Sequence, residues 1–378
     1  MTDTQTPASA DGSAGTAAVE PGAVLASEHT SNLTGIFEQL GISLLVTTYQ
    51  AGKLIAVRRE GAALNTHFCA FNKPMGLAAD PTRFALGTAR EISQYRNMPA
   101  VCAKLEPKGA HDACFVPRDA HVTGDIDIHE MAYAKNGELW FVNTRFSCLC
   151  TLDGISSFVP RWRPKFVSSL APEDRCHLNG LGLVDGEPRY VTALGQADKP
   201  AGWREHKASG GVLIDIKSGK LLCDDLSMPH SPRWYADQLW LLESGKGTLS
   251  RVDPKTGRRE VVVTLPGFTR GLDFFGPLAF VGLSQVRETA VFSGIPITEK
   301  AGERICGVWV VNILTGQIVG FLRFKSGVQE IFAVSVLPGI RFPEILEPGH
   351  ELVATSYALP DAALKDVRLS SPRPPSQA

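Results

Sequence analysis

The sequence has no run of eighteen apolar residues, no block of five or six like charges, and no basic start leading into an apolar stretch. The first absence leaves no segment able to cross a bilayer as a helix. The second, with a net charge of −1 and a pI near 6.8, removes the electrostatic footprint of nucleic-acid or anionic-membrane binding. The third is unlike a secretory signal, so a cytoplasmic setting is expected.

Catalytic signatures are scarce too. Of eight cysteines only Cys148 and Cys150 are close, as Cys-x-Cys, and no second pair stands at zinc-ligand spacing. Reduced thiols packed as small apolar groups are expected. Gly-x-Ser-x-Gly is missing, which removes a hydrolase nucleophile elbow. The run Gly245-Lys-Gly-Thr248 lacks the leading glycine of a phosphate loop and opens no helix. Helical periodicity is rare: one short helix is expected at 33–40, capped by Ser31 or Asn32 and stopped by Gly41.

What the chain does have is apolar material and turns. Hydrophobic residues make up 44% of 378, charged ones 20%, with 36 glycines and 25 prolines. That suffices for a large core. Residues 1–30 lack large apolar groups and are expected to form a disordered tail, as are 367–378, leaving 31–366 as one domain. Within it, short apolar runs alternate with turn residues. Asp-Ile-Lys-Ser-Gly-Lys (215–220), Asp-Pro-Lys-Thr-Gly-Arg (253–258) and Asn-Ile-Leu-Thr-Gly-Gln (312–317) repeat one hairpin pattern, with an Asx opening the turn and glycine at its positive-φ position.

A longer repeat sets the architecture. Short apolar segments centred on Gly76, Met131, Gly180, Pro232, Gly271 and Ala333 recur at spacings of 39 to 62 residues, most of them followed by a second strand. Six units of about four strands make an all-β, six-bladed β-propeller. A seven-bladed ring or a pair of sandwiches remains the alternative. The ring is expected to close by pairing strands at 43–48 and 53–58 with C-terminal residues, 351–357 being the candidate segment.

In a propeller the residues opening each inner strand and ending each second strand converge on one mouth of the central channel. Here those positions are polar. His129 and His230 share a register in blades two and four, so both are candidates to bind one divalent metal ion or to act as acid and base. His177 lies one step earlier in its blade and would face elsewhere unless a bulge re-aims it. Glu130 and Glu330 are candidate bases, with ion pairing as their plain alternative. Arg270 is placed to hold a carboxylate or phosphate. Asn143, Arg145, Asn179 and Glu243 complete the candidate substrate contacts. Trp203-Arg204 and the stretch from Arg161 to Lys165 lie in long connections that either cover the mouth or pack as ordinary loops.

The runs Met-Pro-His-Ser-Pro-Arg-Trp (228–234), Leu-Trp-Leu-Leu-Glu-Ser-Gly-Lys-Gly (239–247) and Leu-Pro-Gly-Phe-Thr-Arg-Gly-Leu-Asp-Phe (265–274) resemble a bacterial family of conserved hypothetical propeller proteins that carry a domain of unknown function. The resemblance spans roughly 35–360, and Asn179, His230, Arg233, Glu243 and Arg270 fall in or near its distinctive segments. The architecture is also similar to the senescence-marker and gluconolactonase propellers. That similarity implies a channel cation held by Glu, Asn and Asp, which Glu130, Asn143 and Asn179 could partly imitate, although no matching Asp-Gly segment is found.

Two functions follow as expectations. The first is a metal-assisted hydrolase, lactonase or isomerase acting on a small anionic substrate, with one divalent ion on His129 and His230. The second is a non-catalytic module that binds a peptide, sugar or protein partner.

Overall fold

The computed structural model describes residues 25–286, 293–299 and 303–367. Six sheets, each built on four antiparallel strands, stand around a central axis, and in five of them the first of the four is innermost. The inner strands are Leu77–Asp80, Ile128–Tyr133, Leu178–Val184, Pro229–Tyr235, Phe268–Phe275 and Ala333–Pro338, defining blades 1 to 6. Each packs beside the next, and the sixth packs beside the first, so the ring is closed. These are the six repeated segments of the sequence.

Closure differs in detail from the expectation. Blade 6 takes its inner strand, Ala333–Pro338, from the C-terminal part and its other three, Ile42–Thr48, Lys53–Glu60 and Ala63–Ala70, from the N-terminal part. Thr47 pairs with Ala333 and Ile42 with Pro338. With that edge filled, residues 351–357 have no strand to join. Glu351–Ala354 is instead a helical turn, opened by His350, whose ring nitrogen accepts a hydrogen bond from the Leu352 N–H.

Both chain ends also overlap a neighbouring blade. Pro343–Ile345 runs parallel to the outer strand of blade 1. Ser27–His29 adds a fifth strand to blade 5, so the ordered chain begins before residue 31. Most of the remaining expected tail, 1–24 and 368–378, lies outside the described residues. The helix Leu33–Leu40 forms as expected and buries Leu33 and Phe37, with Gly41 left-handed at its end. Asn32 does not cap it; its side-chain amide donates to the Val319 carbonyl.

The hairpins follow their local code. The side chains of Asp215, Asp253 and Asn312 each accept from a backbone N–H two residues on, and Gly219, Gly257 and Gly316 have φ of 71°, 76° and 73°. Between blades the sheets pack face to face. Blades 5 and 6 share Leu44, Val46, Ile55, Phe280, Val308 and Phe324, and a buried side chain of this size contributes about 1.5–3 kcal/mol. The eight cysteines are free thiols, seven of them buried. No helix among the described residues is long and apolar enough to cross a membrane.

Candidate functional site

Each inner strand opens on a residue that faces the axis. Gly76, His129, Asn179, His230, Arg270 and Phe332, one per blade, line a single cavity. Two residues earlier in their blades stand Asp127, His177, Met228, Phe268 and Glu330, the rim of the mouth. Asp127, His177 and Met228 have φ of 48°, 49° and 47°. Non-glycine residues adopt this left-handed conformation at a cost, and it concentrates where function constrains the backbone. Here it turns the chain into the channel, and bulges in the inner strands of blades 2 to 5 adjust the register below.

The two histidines of the ring are held alike. His129 Nδ1 lies 2.8 Å from the Asp127 carbonyl and 2.8 Å from Thr144 Oγ1, and Thr144 donates to the Leu178 carbonyl at 2.6 Å. His230 Nδ1 lies 3.0 Å from the Met228 carbonyl and 2.9 Å from Ser244 Oγ, and Ser244 donates to the Thr269 carbonyl. A carbonyl only accepts, so Nδ1 carries the proton in each neutral ring and Nε2 holds the lone pair. Burial holds both imidazoles well below the usual histidine range, and the Arg270 cation adds to this in each. Both are neutral bases at pH 7. The Nε2 of His129 is buried and has no hydrogen-bond partner among the described residues.

His177 belongs to the same centre. Its left-handed backbone brings its ring edge-on to His129, centroids 4.9 Å apart. Its Nδ1 donates to both oxygens of Asp174, at 3.0 and 2.9 Å, and the Trp203 indole N–H donates to Asp174 at 2.9 Å. Trp203 is 3% exposed and packs with Leu194, Met228, Phe268, Ile295 and Ile297 over one side of the mouth. Its segment is therefore a cover, while Trp162 and Lys165 line a separate outer hollow. Asp127 pairs with Lys73 at 3.2 Å. Burial raises the Asp127 carboxyl, but its neighbours His129, Lys73 and His177 outweigh this and hold it below the usual range.

Arg270 lies on the Phe332 ring, 3.7 Å from its centroid, with Tyr49 at 5.8 Å. Its guanidinium makes no hydrogen bond or ion pair with the described residues. Burial lowers it to about 10, against the opposing charges of Asp127 and Glu130. Glu330, on the rim, has no side-chain partner among the described residues, and burial pushes it up to about 7.

Other expected site residues are placed differently. Glu130 faces the axis below the ring but is engaged by Arg233 and by the Leu181 N–H. Asn179 lines the cavity with both ends of its amide used, by Pro229 and Thr192. Asn143 caps a turn through the Phe146 N–H, and Arg145 pairs with Asp125 at the surface. Glu243 is buried away from the axis, where it meets Lys246, Arg259 and the Ser227 N–H. The structure does not favour a gluconolactonase-like cation on Glu130, Asn143 and Asn179: Glu130 is ion-paired with Arg233, and the amide oxygens of Asn143 and Asn179 already accept from the Phe146 N–H and from Thr192.

Among the described residues the group with ligand atoms close enough to share an ion is Asp127, His129 and His177, all within 4.8 Å of one another. His230 is not part of it. Sequence register puts His177 out of line unless a bulge re-aims it, leaves Trp203 as either a cover or an ordinary loop residue, and gives no role to Asp127, Asp174, Thr144 or Ser244. The hydroxyls had a signal: each directly follows a second strand, 15 and 14 residues after its histidine.

Solved structures share the architecture. A chain in the crystal structure of a nidogen/laminin complex is 11% identical with a TM-score of 0.52, covering 79% of this chain and 99% of that one. A protein of unknown function from Bacteroides caccae is 10% identical (TM-score 0.47, covering 78% and 98%). A catalytically inactive virginiamycin B lyase from Staphylococcus aureus, solved with quinupristin, is also 10% identical (TM-score 0.40, covering 79% and 99%). At such identities the likeness is one of fold alone. No curated protein matches the sequence. The family profile described as domain of unknown function (DUF4915) matches residues 31–346, and the chain belongs to that family.

Proposed function

We propose that the mouth of the channel is the active site of an enzyme acting on a small anionic substrate by hydrolysis, lactone opening or isomerisation. The observation that carries this reading is Arg270. A guanidinium has five N–H donors in a rigid fork, and inside the channel none of them is used by the described chain. An anion is the natural occupant of that fork.

The surroundings supply acid–base groups. His230 presents a neutral imidazole with its proton fixed on Nδ1, so Nε2 can accept a proton from substrate or water. Glu330, with its carboxyl near neutrality, can give or take one at the rim. At ring level the cavity has room for about 20 Å3, on the order of one water. The anionic end of a substrate therefore reaches Arg270 while its bulk stays at the rim, under the Trp203 cover.

The test is calorimetric titration of wild type and Arg270→Met with inorganic phosphate, two- to six-carbon carboxylates and sugar lactones, followed by turnover assays. At least one anion should bind wild type and lose tenfold or more in Arg270→Met, with turnover lost in His230→Gln. Binding that depends on Arg270 without turnover would favour a non-catalytic binding module. Equal binding by both proteins would overturn either reading.

A further inference from the structure

We propose that Asp127, His129 and His177 form a centre for one divalent transition-metal ion at the mouth of the channel, with Asp174 and Trp203 as its positioning residues.

The first support is distance. One carboxylate oxygen and one nitrogen from each histidine lie within 4.8 Å of one another. One ion with bonds of about 2.0–2.2 Å to each ligand needs those atoms about 3.3–3.6 Å apart, so the set must draw in by up to roughly 1.5 Å, a shift within the reach of side-chain rotation. The second is an orphan. His129 is 3% exposed, and its Nε2 is buried with no partner among the described residues. Leaving a buried acceptor unsatisfied costs about 1–3 kcal/mol, and a ligated ion removes that cost.

The third is orientation. A metal-ligating histidine characteristically donates its other ring N–H to a carboxylate or a backbone carbonyl, which fixes the tautomer. His129 does this with the Asp127 carbonyl and Thr144. His177 does it with Asp174, and Asp174 is in turn held by the Trp203 indole N–H. Asp127, Asp174 and His177 all occupy left-handed backbone, with φ of 48°, 48° and 49°. Three strained residues in one corner point to a constraint beyond folding.

Donor chemistry limits the ion. Two imidazoles and one carboxylate suit Zn2+, Co2+, Fe2+ or Ni2+, whereas Mg2+ and Ca2+ prefer all-oxygen sets. Three protein ligands leave coordination positions open toward the channel, as in catalytic rather than structural sites. Lys73 now pairs with Asp127 and must release it when an ion enters. The positive charges of Lys73 and Arg270 oppose a lone divalent ion. The site exists whether or not the substrate reading holds, because its ligands do not include Arg270.

The test uses untagged full-length protein, stripped with chelator and titrated with Zn2+ and with Co2+ by calorimetry and absorption. Wild type should bind one equivalent with micromolar or tighter affinity. His177→Ala, whose ring is partly exposed and makes no inter-blade bond, should weaken binding by 100-fold or more. His230→Ala should leave it unchanged. Asp174→Asn should weaken it by 10–100-fold, and Co2+ should quench a component of tryptophan emission that Trp203→Phe removes. Circular dichroism establishes that each variant is folded. Folded wild type that binds neither ion would overturn the centre. So would unchanged affinity in His177→Ala, or a loss in His230→Ala as large as that in His177→Ala. Unchanged affinity in Asp174→Asn would overturn the positioning role. Lost anion binding in Arg270→Met with metal binding intact would separate this site from the substrate reading.

Discussion

Arg233 of blade 4 reaches across the channel to the carboxylate of Glu130 in blade 2, directly below the ring that carries the two histidines. It also donates to the carbonyls of Leu272, Leu181 and Pro232, and Glu130 accepts from the Leu181 N–H. One ion pair thus joins the inner strands of blades 2, 3, 4 and 5 and divides the channel into two mouths.

This pair yields the first prediction. Arg233→Ala leaves a largely buried carboxylate without its cation, and breaking such a pair costs about 3–5 kcal/mol. The double variant Glu130→Leu/Arg233→Met should recover much of that loss, because no charge is then stranded. Denaturant unfolding of the two proteins and the wild type measures both effects. If Arg233→Ala unfolds at the wild-type denaturant concentration, the pair is not structural. Glu130→Gln should leave anion binding at Arg270 in place, since Glu130 serves the scaffold.

The architecture was legible because its code is local and repeated. An Asx and a glycine at fixed positions set Asp215, Asp253 and Asn312 into the same turn in blades 3, 4 and 5, and a small-centred apolar segment marks each inner strand. The identity of the mouth was legible for the same reason: His129, His230 and Arg270 stand at equivalent steps of their blades. Roles were less so. Strand periodicity turns His177 away unless the register is disturbed, and a left-handed backbone at the head of its strand supplies that disturbance. Glu130 carried ion pairing as its plain alternative, but its cation, Arg233, comes from another blade and no local pattern names it; Glu243 is taken by Lys246, three residues on, and lies 3.9 Å from Arg259 of another strand. Asp174 and Trp203 belong to loops, where no periodicity exists to place a side chain.

The second prediction concerns the seam between blades 6 and 1. Glu344, on the strand Pro343–Ile345, meets His67 at 2.8 Å, His111 at 3.1 Å and Arg58 at 3.4 Å. Burial alone would raise its carboxyl, but the His67 hydrogen bond and the charges of His67 and Arg58 outweigh it and bring it down to about 2. A carboxyl lowered in the folded state contributes stability above its ordinary value near 4.5 and loses it as pH falls toward 2. The whole contribution is on the order of 3 kcal/mol. Wild type should therefore lose stability steeply between pH 4.5 and 2, and Glu344→Gln, less stable at pH 7, should show a flatter acid limb. Parallel pH–stability curves for the two proteins would refute the assignment.

Glu330 gives the opposite sign. Burial raises its carboxyl to about 7, with no cation to offset it. A folded-state value above the ordinary one near 4.5 means that the folded protein holds this proton more tightly than the unfolded chain does. The contribution is fully present below about 4.5 and is lost as pH rises through 7, where the folded protein must ionise a shielded carboxyl. Glu330→Gln keeps the shape and removes the charge. It should match wild type at pH 4 and exceed it by about 2 kcal/mol at pH 8.5, discounted from the full shift because the side chain is partly open to the mouth. Thermal unfolding of both proteins at the two pH values measures this. The same carboxyl is the rim acid or base proposed above, so turnover limited by it should change near pH 7 in wild type and lose that inflection in Glu330→Gln. A stability gain at pH 8.5 without a lost inflection would leave Glu330 as a buried acid outside the chemistry, and proton transfer would then rest on His230 alone.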